Sequence, residues 1–141
     1  MIALAHHHYG VSVRDLEESI GWYGTVLAFE VERRFAIPSA RATAAMLRHG
    51  EVRVELFQVE GAAPLPPERR EPHGDLAVVG NKHPAFVVDD MAALLARVER
   101  QHVDLAFVVP PHLGRACFVR DPDGNLIEFV ERCRDTAAGE S

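Results

Sequence analysis

Hydrophobic and polar positions alternate in two parts of the chain, and in each part the alternation gives way to helical spacing. Residues 9 to 13 alternate as a β-strand does, and the pattern then predicts a helix capped by Asp15. Residues 83 to 88 alternate in the same way, and a helix capped by Asp90 follows. The chain therefore contains two similar units, and each unit begins with a strand followed by a helix.

Three more strands are expected after each predicted helix. Within residues 51 to 58, Glu55 lies on the face opposite the apolar positions, and within residues 126 to 131, Glu128 does the same. The turn at 121 to 125, Asp-Pro-Asp-Gly-Asn, favours a hairpin before the last of these strands. The pattern predicts the six strands at residues 29 to 35, 43 to 48, 51 to 58, 105 to 109, 116 to 120 and 126 to 131.

An internal repeat relates the two units. The stretch HYGVSVRDL at 8 to 16 matches HPAFVVDDM at 83 to 91, an offset of 75 residues (83 − 8). VELF at 54 to 57 matches IEFV at 127 to 130, and Glu55 and Glu128 are then 73 residues apart (128 − 55). Each half therefore contributes one histidine and one glutamate in the same order.

The repeat predicts an α+β fold of two βαβββ modules that share one core and curl their uncovered faces into a cup, a cupped mixed sheet. Module 1 is expected at about 4–58 and module 2 at about 81–132, within a single domain over 1–135. Residues 59–80 lack periodicity and are rich in Pro and Gly, so they are interpreted as a connector. Because about twenty residues is long for a structureless loop, this connector is either a surface wrap or a flap over the site. Residues 136–141 are predicted to be a disordered tail.

The four repeated side chains are candidate metal ligands. A lone histidine or glutamate on a strand is more often structural, but the shared order, offset and face favour a common role for His8, Glu55, His83 and Glu128. Two imidazoles and two carboxylates suit a divalent ion such as Ni, Co, Mn, Fe or Zn. His6 lies on the same strand face as His8, and only the repeat favours His8 as the ligand.

Composition narrows the class of protein. The chain has 141 residues, 48% of them hydrophobic, which is enough for one domain with a core. Its formal net charge of −6 and lack of a basic stripe argue against a nucleic-acid partner, and no apolar run is long enough for a membrane span. We expect a cytoplasmic protein with Cys117 and Cys133 reduced.

The segments HYGVSVRDLEESIGWY, VELFQ, KHPAFVVDDM and RDPDGNLIEF together resemble the vicinal oxygen chelate superfamily, also called the glyoxalase, bleomycin resistance and extradiol dioxygenase family. The resemblance covers nearly the whole chain outside the connector and the tail. It implies paired βαβββ modules, a metal held by the first and fourth strands of each module, a small-molecule substrate and a homodimer. It assigns the ligand roles to His8, Glu55, His83 and Glu128.

The resemblance favours a metal-dependent lyase or isomerase of the glyoxalase or methylmalonyl-CoA epimerase type. Such an enzyme acts on a substrate with neighbouring oxygens by proton transfer through a metal-stabilised enolate, with Glu55 or Glu128 as the base. The alternatives are an extradiol-type non-haem iron dioxygenase and, third, a metal-free protein that binds a small molecule such as a drug. Arg53 shares the face of Glu55, where a rim salt bridge is favoured over an anion anchor.

Overall fold

The structure is a computed structural model that describes residues 1–133, so the predicted tail at 136–141 lies outside the described residues. Two modules are present, each a strand and a helix followed by three strands. The strands of the described residues are β1 (Tyr9–Ser12), β2 (Glu30–Ile37), β3 (Ala42–His49), β4 (Val52–Val59), β5 (Ala85–Val88), β6 (Leu105–Val108), β7 (Ala116–Arg120) and β8 (Leu126–Glu131). The helices are α1 (Leu16–Leu27), α2 (Pro72–Leu76) and α3 (Met91–Arg100), with 3-10 turns at Pro38–Ala40 and Pro67–Arg70.

The strands form two four-stranded mixed sheets with the same topology. Their orders are β1-β4-β3-β2 and β5-β8-β7-β6. The first strand of each module runs parallel to the fourth, whereas the other neighbours are antiparallel. The α+β fold of two βαβββ modules is therefore confirmed.

The two main helices begin where the sequence predicts. The Asp15 carboxylate accepts a hydrogen bond from the Glu18 backbone N–H at 3.0 Å, and the Asp90 carboxylate accepts one from the Ala93 N–H at 2.9 Å. Each bond satisfies a backbone donor that has no partner within the helix. Helix α1 ends before Ala28, whose left-handed backbone (φ 58°) turns the chain into β2.

The two modules share one hydrophobic core because they meet through their helix-covered sides. The rings of Tyr9 and Phe86, on the helix side of β1 and β5, lie 5.9 Å apart. Arg97 of α3 donates hydrogen bonds to the Val26 and Thr25 carbonyls at the end of α1, at 3.0 and 2.9 Å. Module 2 thus supplies the cation that the last turn of α1 lacks.

The connector contains local structure that periodicity did not predict. Residues 59–80 contain the 3-10 turn at Pro67–Arg70 and helix α2. Arg120 ties this segment to β7 by donating to the Arg70 carbonyl and the Glu71 carboxylate, both at 2.7 Å. Periodicity gave no signal because prolines at the starts of the turns and charged contacts, rather than an apolar stripe, order the segment.

The longest helix within residues 1–133 is α1, with 12 residues. A bilayer needs about 20 apolar residues in a helix. No helix of the described chain is long and apolar enough to cross a membrane.

Candidate metal centre

The first half-site, defined as His8 and Glu55, is built by the parallel pairing of β1 with β4. Gly10 pairs with Glu55 in this register, and His8 precedes Gly10 by two residues, so it lies on the same face. The His8 Nε2 and Glu55 Oε2 atoms are 2.9 Å apart. The pair lies on the sheet face opposite the one covered by α1.

The second half-site, defined as His83 and Glu128, repeats this construction. Ala85 pairs with Glu128, and His83 again precedes the paired residue by two positions. The His83 Nε2 and Glu128 Oε2 atoms are 3.1 Å apart. The strand predicted from residue 83 begins only at Ala85, so His83 lies just before β5, as His8 lies just before β1.

The nitrogen–oxygen distance within each pair is that of a hydrogen-bonded His–Glu contact, and it is also compatible with two ligands of a metal ion. Imidazole nitrogen and carboxylate oxygen bind ions such as Zn²⁺ at about 2.0–2.2 Å, so two ligands at a right angle have donor atoms ~3.0 Å apart. The distances of 2.9 and 3.1 Å match this value. Each pair therefore presents its donor atoms at the spacing that two neighbouring coordination positions require.

The two histidines have different surroundings. The side chain of His8 is 33% exposed, whereas that of His83 is 18% exposed. His8 Nδ1 lies 2.7 Å from Nδ1 of the exposed His7, while the His83 ring makes an edge contact with Phe118 at 4.9 Å between centroids. His83 Nδ1 is buried and has no hydrogen-bond partner among residues 1–133. The second histidine is therefore the more enclosed one.

The structure brings the four predicted ligands together as two pairs. Within residues 1–133, no group of three or more His, Cys, Asp or Glu side chains is arranged to hold a metal ion. The reason is the packing of the modules, which join by their helix-covered sides while each pair lies on an uncovered face. His8 and His83 both border an open cleft between the modules. In the described chain, Glu55 pairs with His8 and not with the competing His6.

Arg53 forms the rim salt bridge that the sequence favoured. Its guanidinium bonds both carboxylate oxygens of Glu32 at 3.1–3.2 Å. This contact lowers the pKa of Glu32 and raises that of Arg53. Arg53 is therefore engaged at the rim of the first sheet rather than presented to a ligand.

Cys117 is buried and Cys133 is exposed, and both are free thiols. Burial, together with the charge of Glu128, raises the pKa of the Cys117 thiol to about 11. A thiol with such a pKa stays protonated near neutrality and is a poor nucleophile. Cys117 is a packing residue, as expected.

Sequence reasoning missed a buried charged cluster beside the second half-site. The Asp75 side chain, only 2% exposed, contacts Arg69 Nε at 2.9 Å and Lys82 Nζ at 3.4 Å. Lys82 directly precedes His83. The only signal was an acidic residue among scattered basic residues in an aperiodic segment, which does not reveal burial.

A buried polar contact between the modules was also missed. Tyr23 of α1 donates to the Asp121 carboxylate at 3.3 Å, and the Asp121 backbone begins the 121–125 turn. Burial raises the pKa of Tyr23, of the neighbouring Tyr9 and of Asp121. The Arg14 backbone N–H donates to Asp123 of the same turn at 3.0 Å. This turn therefore joins module 2 to module 1.

Comparison with known proteins agrees with this geometry. The family model of the Glyoxalase/Bleomycin resistance protein/Dioxygenase superfamily matches residues 5–129. The chain belongs to this superfamily. The match spans both half-sites and the connector between the two modules.

Individual relatives align over most of their length. The uncharacterized protein YaeR of Escherichia coli K12 is 33% identical over 131 residues, which cover 89% of this chain and 95% of the relative. A lactoylglutathione lyase of Neisseria meningitidis serogroup A is 30% identical over 130 residues, covering 89% and 88%. Among solved structures, the trypanothione-dependent glyoxalase I of Leishmania major superimposes with a TM-score of 0.72 at 25% identity, covering 92% of this chain and 87% of the other.

Proposed function

We propose that this protein is a metal-dependent lyase or isomerase of the glyoxalase or methylmalonyl-CoA epimerase type. The observation that carries the proposal is the identical construction of the two His–Glu pairs, at 2.9 and 3.1 Å, in equivalent registers of the two modules. The similarity to a lactoylglutathione lyase and to a glyoxalase I supports the reaction class. The substrate class is a small molecule with oxygens on adjacent carbons.

His8, Glu55, His83 and Glu128 would hold the ion. Their two imidazole nitrogens and two carboxylate groups suit Ni, Co, Mn, Fe or Zn. A bound divalent ion supplies Lewis-acid polarisation of substrate oxygens, which lowers the pKa of the neighbouring C–H group.

A glutamate of the site then moves the proton of this C–H group. Glu55 and Glu128 are partly buried, and each lies beside a histidine, so an Oε atom of either carboxylate can accept the proton and return it to a neighbouring atom. In an epimerase, one of the two glutamates would remove the proton and the other, in its protonated form, would donate a proton to the opposite face of the same carbon. Return to an adjacent carbon gives an isomerase or lyase of the glyoxalase type.

The complete site requires two chains in this proposal. The two half-sites of one chain remain separate pairs, and the uncovered sheet faces that carry them are available to another copy. A twofold homodimer would place the first half-site of one chain against the second half-site of its partner, giving two equivalent sites.

Mixing of two inactive variants tests this arrangement. H8A/E55Q removes the first half-site and H83A/E128Q removes the second, so neither homodimer has an intact site. After joint refolding in equal amounts, the heterodimers should each contain one intact site, and about a quarter of the wild-type activity should return. Activity that stays absent, although mass spectrometry detects heterodimers, would contradict sites shared between chains.

Metal analysis tests the reaction class. Protein purified without a metal-affinity column should contain a divalent metal, or gain lyase or epimerase turnover when Ni²⁺, Co²⁺ or Zn²⁺ is added. No bound metal and no gain on addition would refute the proposal, and oxygen uptake with catechols would instead indicate a dioxygenase.

Single substitutions identify the base. E55Q and E128Q retain the size of each side chain and remove its basicity. The variant at the base should lose most turnover even when metal content is restored. Full metal content with full turnover in either variant would remove that glutamate as the base.

A further inference from the structure

We infer that Asp75 is a positioning residue for the candidate ligand His83, and this inference rests on the proposed metal site. Asp75 lies in α2, in the segment between the modules, and its side chain is buried. It does not touch His83. It acts through the two basic residues that hold the chain immediately before His83.

The contacts form a compact clamp, defined here as Arg69, Asp75 and Lys82. Arg69 Nε donates to the Asp75 carboxylate at 2.9 Å, and Arg69 Nη2 donates to the Asn81 carbonyl at 2.5 Å. The Lys82 ammonium donates to the Asp75 carbonyl at 2.6 Å and also bonds the Val78 carbonyl. Lys82 additionally contacts the Asp75 carboxylate at 3.4 Å. Asn81 is therefore tied to Arg69 in the 3-10 turn, and Lys82 is tied to Asp75 in α2 and to the chain just after it.

Charge explains why Asp75 is central to the clamp. A buried carboxylate is costly unless cations and hydrogen bonds compensate it, and here one carboxylate serves two cations. Without its negative charge, Arg69 and Lys82 would face each other across a neutral side chain. Both are partly exposed and can turn to solvent, which would release the backbone at Asn81 and Lys82.

The position of His83 depends on this backbone. His83 lies two residues before β5, and the nearest sheet hydrogen bond runs from the Glu128 backbone N–H to the Pro84 carbonyl at 3.0 Å, so the backbone before His83 is held by the clamp rather than by the sheet. Its Nδ1 has no hydrogen-bond partner within residues 1–133, and its ring is fixed by Phe118 and Glu128. Residues that orient a metal-binding histidine affect metal affinity by about 10- to 100-fold when they are replaced.

Arg120 provides a matched control. It anchors the same connecting segment through the Arg70 carbonyl and Glu71, and it also bonds Asp104 at 2.8 Å. None of these contacts involves residues 81–83. Loss of Arg120 should loosen the segment without releasing His83.

The experiment compares D75N, K82M and R120Q with wild type and H83A. Co²⁺ affinity is measured by titration, and hydrogen exchange of a peptide over residues 79–85 is measured by mass spectrometry on metal-free protein. D75N and K82M should weaken Co²⁺ binding about tenfold and accelerate exchange in this peptide. R120Q should leave both measurements unchanged, even if it lowers Tm. If D75N does not fold, K82M still tests whether the clamp restrains His83. Because Lys82 is only partly buried, its replacement is expected to leave the protein folded.

Two results would overturn the inference. One is wild-type exchange over residues 79–85 in K82M and in any folded D75N. The other is equal loss of Co²⁺ affinity in K82M and R120Q, which would indicate a general effect on stability. Failure of the proposed function has a different signature, since wild type and H83A would then show the same Co²⁺ titration while the exchange measurement still decides whether Asp75 restrains the segment.

Discussion

The two half-sites have the same ligands and the same register, but the protein holds their histidines in different ways. His8 follows an exposed N-terminal segment and contacts the exposed His7. His83 follows two residues that the clamp ties to the connecting segment, and its ring packs against Phe118. The glutamates do not differ in this way, because Glu55 and Glu128 both lie within strands that have neighbours on two sides.

The internal repeat determines which side chains form each half-site. Other parts of the chain determine how firmly those side chains are held. The strand register is local and appears in both modules. The clamp comes from the connecting segment, and the described residues 1–7 contain no matching segment before His8. We therefore expect the first histidine to adjust when a site forms and the second to be preorganised.

Truncation of one buried core residue in each module tests whether the modules are one cooperative unit. Leu56 of β4 and Ile127 of β8 are both fully buried in the shared core. L56A and I127A should each lower the free energy of unfolding by about 2–5 kcal/mol through the lost burial and the cavity left behind. Denaturant unfolding should remain a single transition in both variants, with T25A, at an exposed position, as the control. Two separate transitions would show that each module folds independently.

Removal of either histidine tests the equivalence of the half-sites. H8A and H83A should each weaken Co²⁺ binding by more than about 100-fold, because each removes a ligand rather than a residue that supports one. H6A is a matched control on the same segment and should bind Co²⁺ as wild type does. If H6A loses affinity and H8A does not, the ligand assignment in module 1 is wrong.

Replacement of Arg97 tests the contact through which module 2 supports module 1. R97M removes two hydrogen bonds from a charged group to the carbonyls at the end of α1. The free energy of unfolding should fall by about 1–2 kcal/mol, since those carbonyls lose both the donors and a favourable charge. R100M, an exposed position on the same helix, is the control for helix propensity. Equal stability of R97M and R100M would contradict this role.

The pH dependence of stability tests the difference between the two turns that precede the fourth strands. The turn between β3 and β4 is exposed, whereas the turn between β7 and β8 contains the buried Asp121. Burial raises the pKa of Asp121 above its usual value, near 4 for an aspartate. A carboxyl group whose pKa is higher in the folded than in the unfolded protein binds its proton more tightly when the protein is folded. Its contribution to the free energy of unfolding is therefore fully present below the unfolded pKa and is lost as the pH rises through the folded pKa.

D121N removes this titration. Between about pH 4 and the raised pKa of Asp121, the free energy of unfolding of wild type minus that of D121N should therefore decline as the pH rises. Guanidinium unfolding at a series of pH values measures the effect, and D89N, at an exposed aspartate, is the control. A constant stability difference between wild type and D121N over this range would contradict the assignment.

Much of the fold could be predicted because its signals are local. Asp15 and Asp90 cap their helices as expected, and the alternation around Glu55 and Glu128 identifies the uncovered sheet faces. Both histidine–glutamate pairs follow from the repeat and the strand period. The extent of the single domain, the roles of the four residues as ligands and the cytoplasmic location stay predictions.

Contacts between distant residues could not be predicted in the same way. The pairing of Arg97 with the end of α1 and of Tyr23 with Asp121 joins positions 71 and 98 residues apart in the chain. Neither contact leaves a periodic pattern, because each involves a single side chain. The contacts of Asp75 with Arg69 and Lys82 in the connecting segment likewise involve single side chains.

The sequence by itself determined the two modules, the faces of their strands and the identity of the two His–Glu pairs, because side-chain direction follows the local backbone period. Only the tertiary structure decided that the modules join by their helix-covered sides and that the pairs remain separate within the described chain. That choice depends on how two apolar surfaces fit together. Local periodicity specifies that each surface must be buried, but it does not specify its partner.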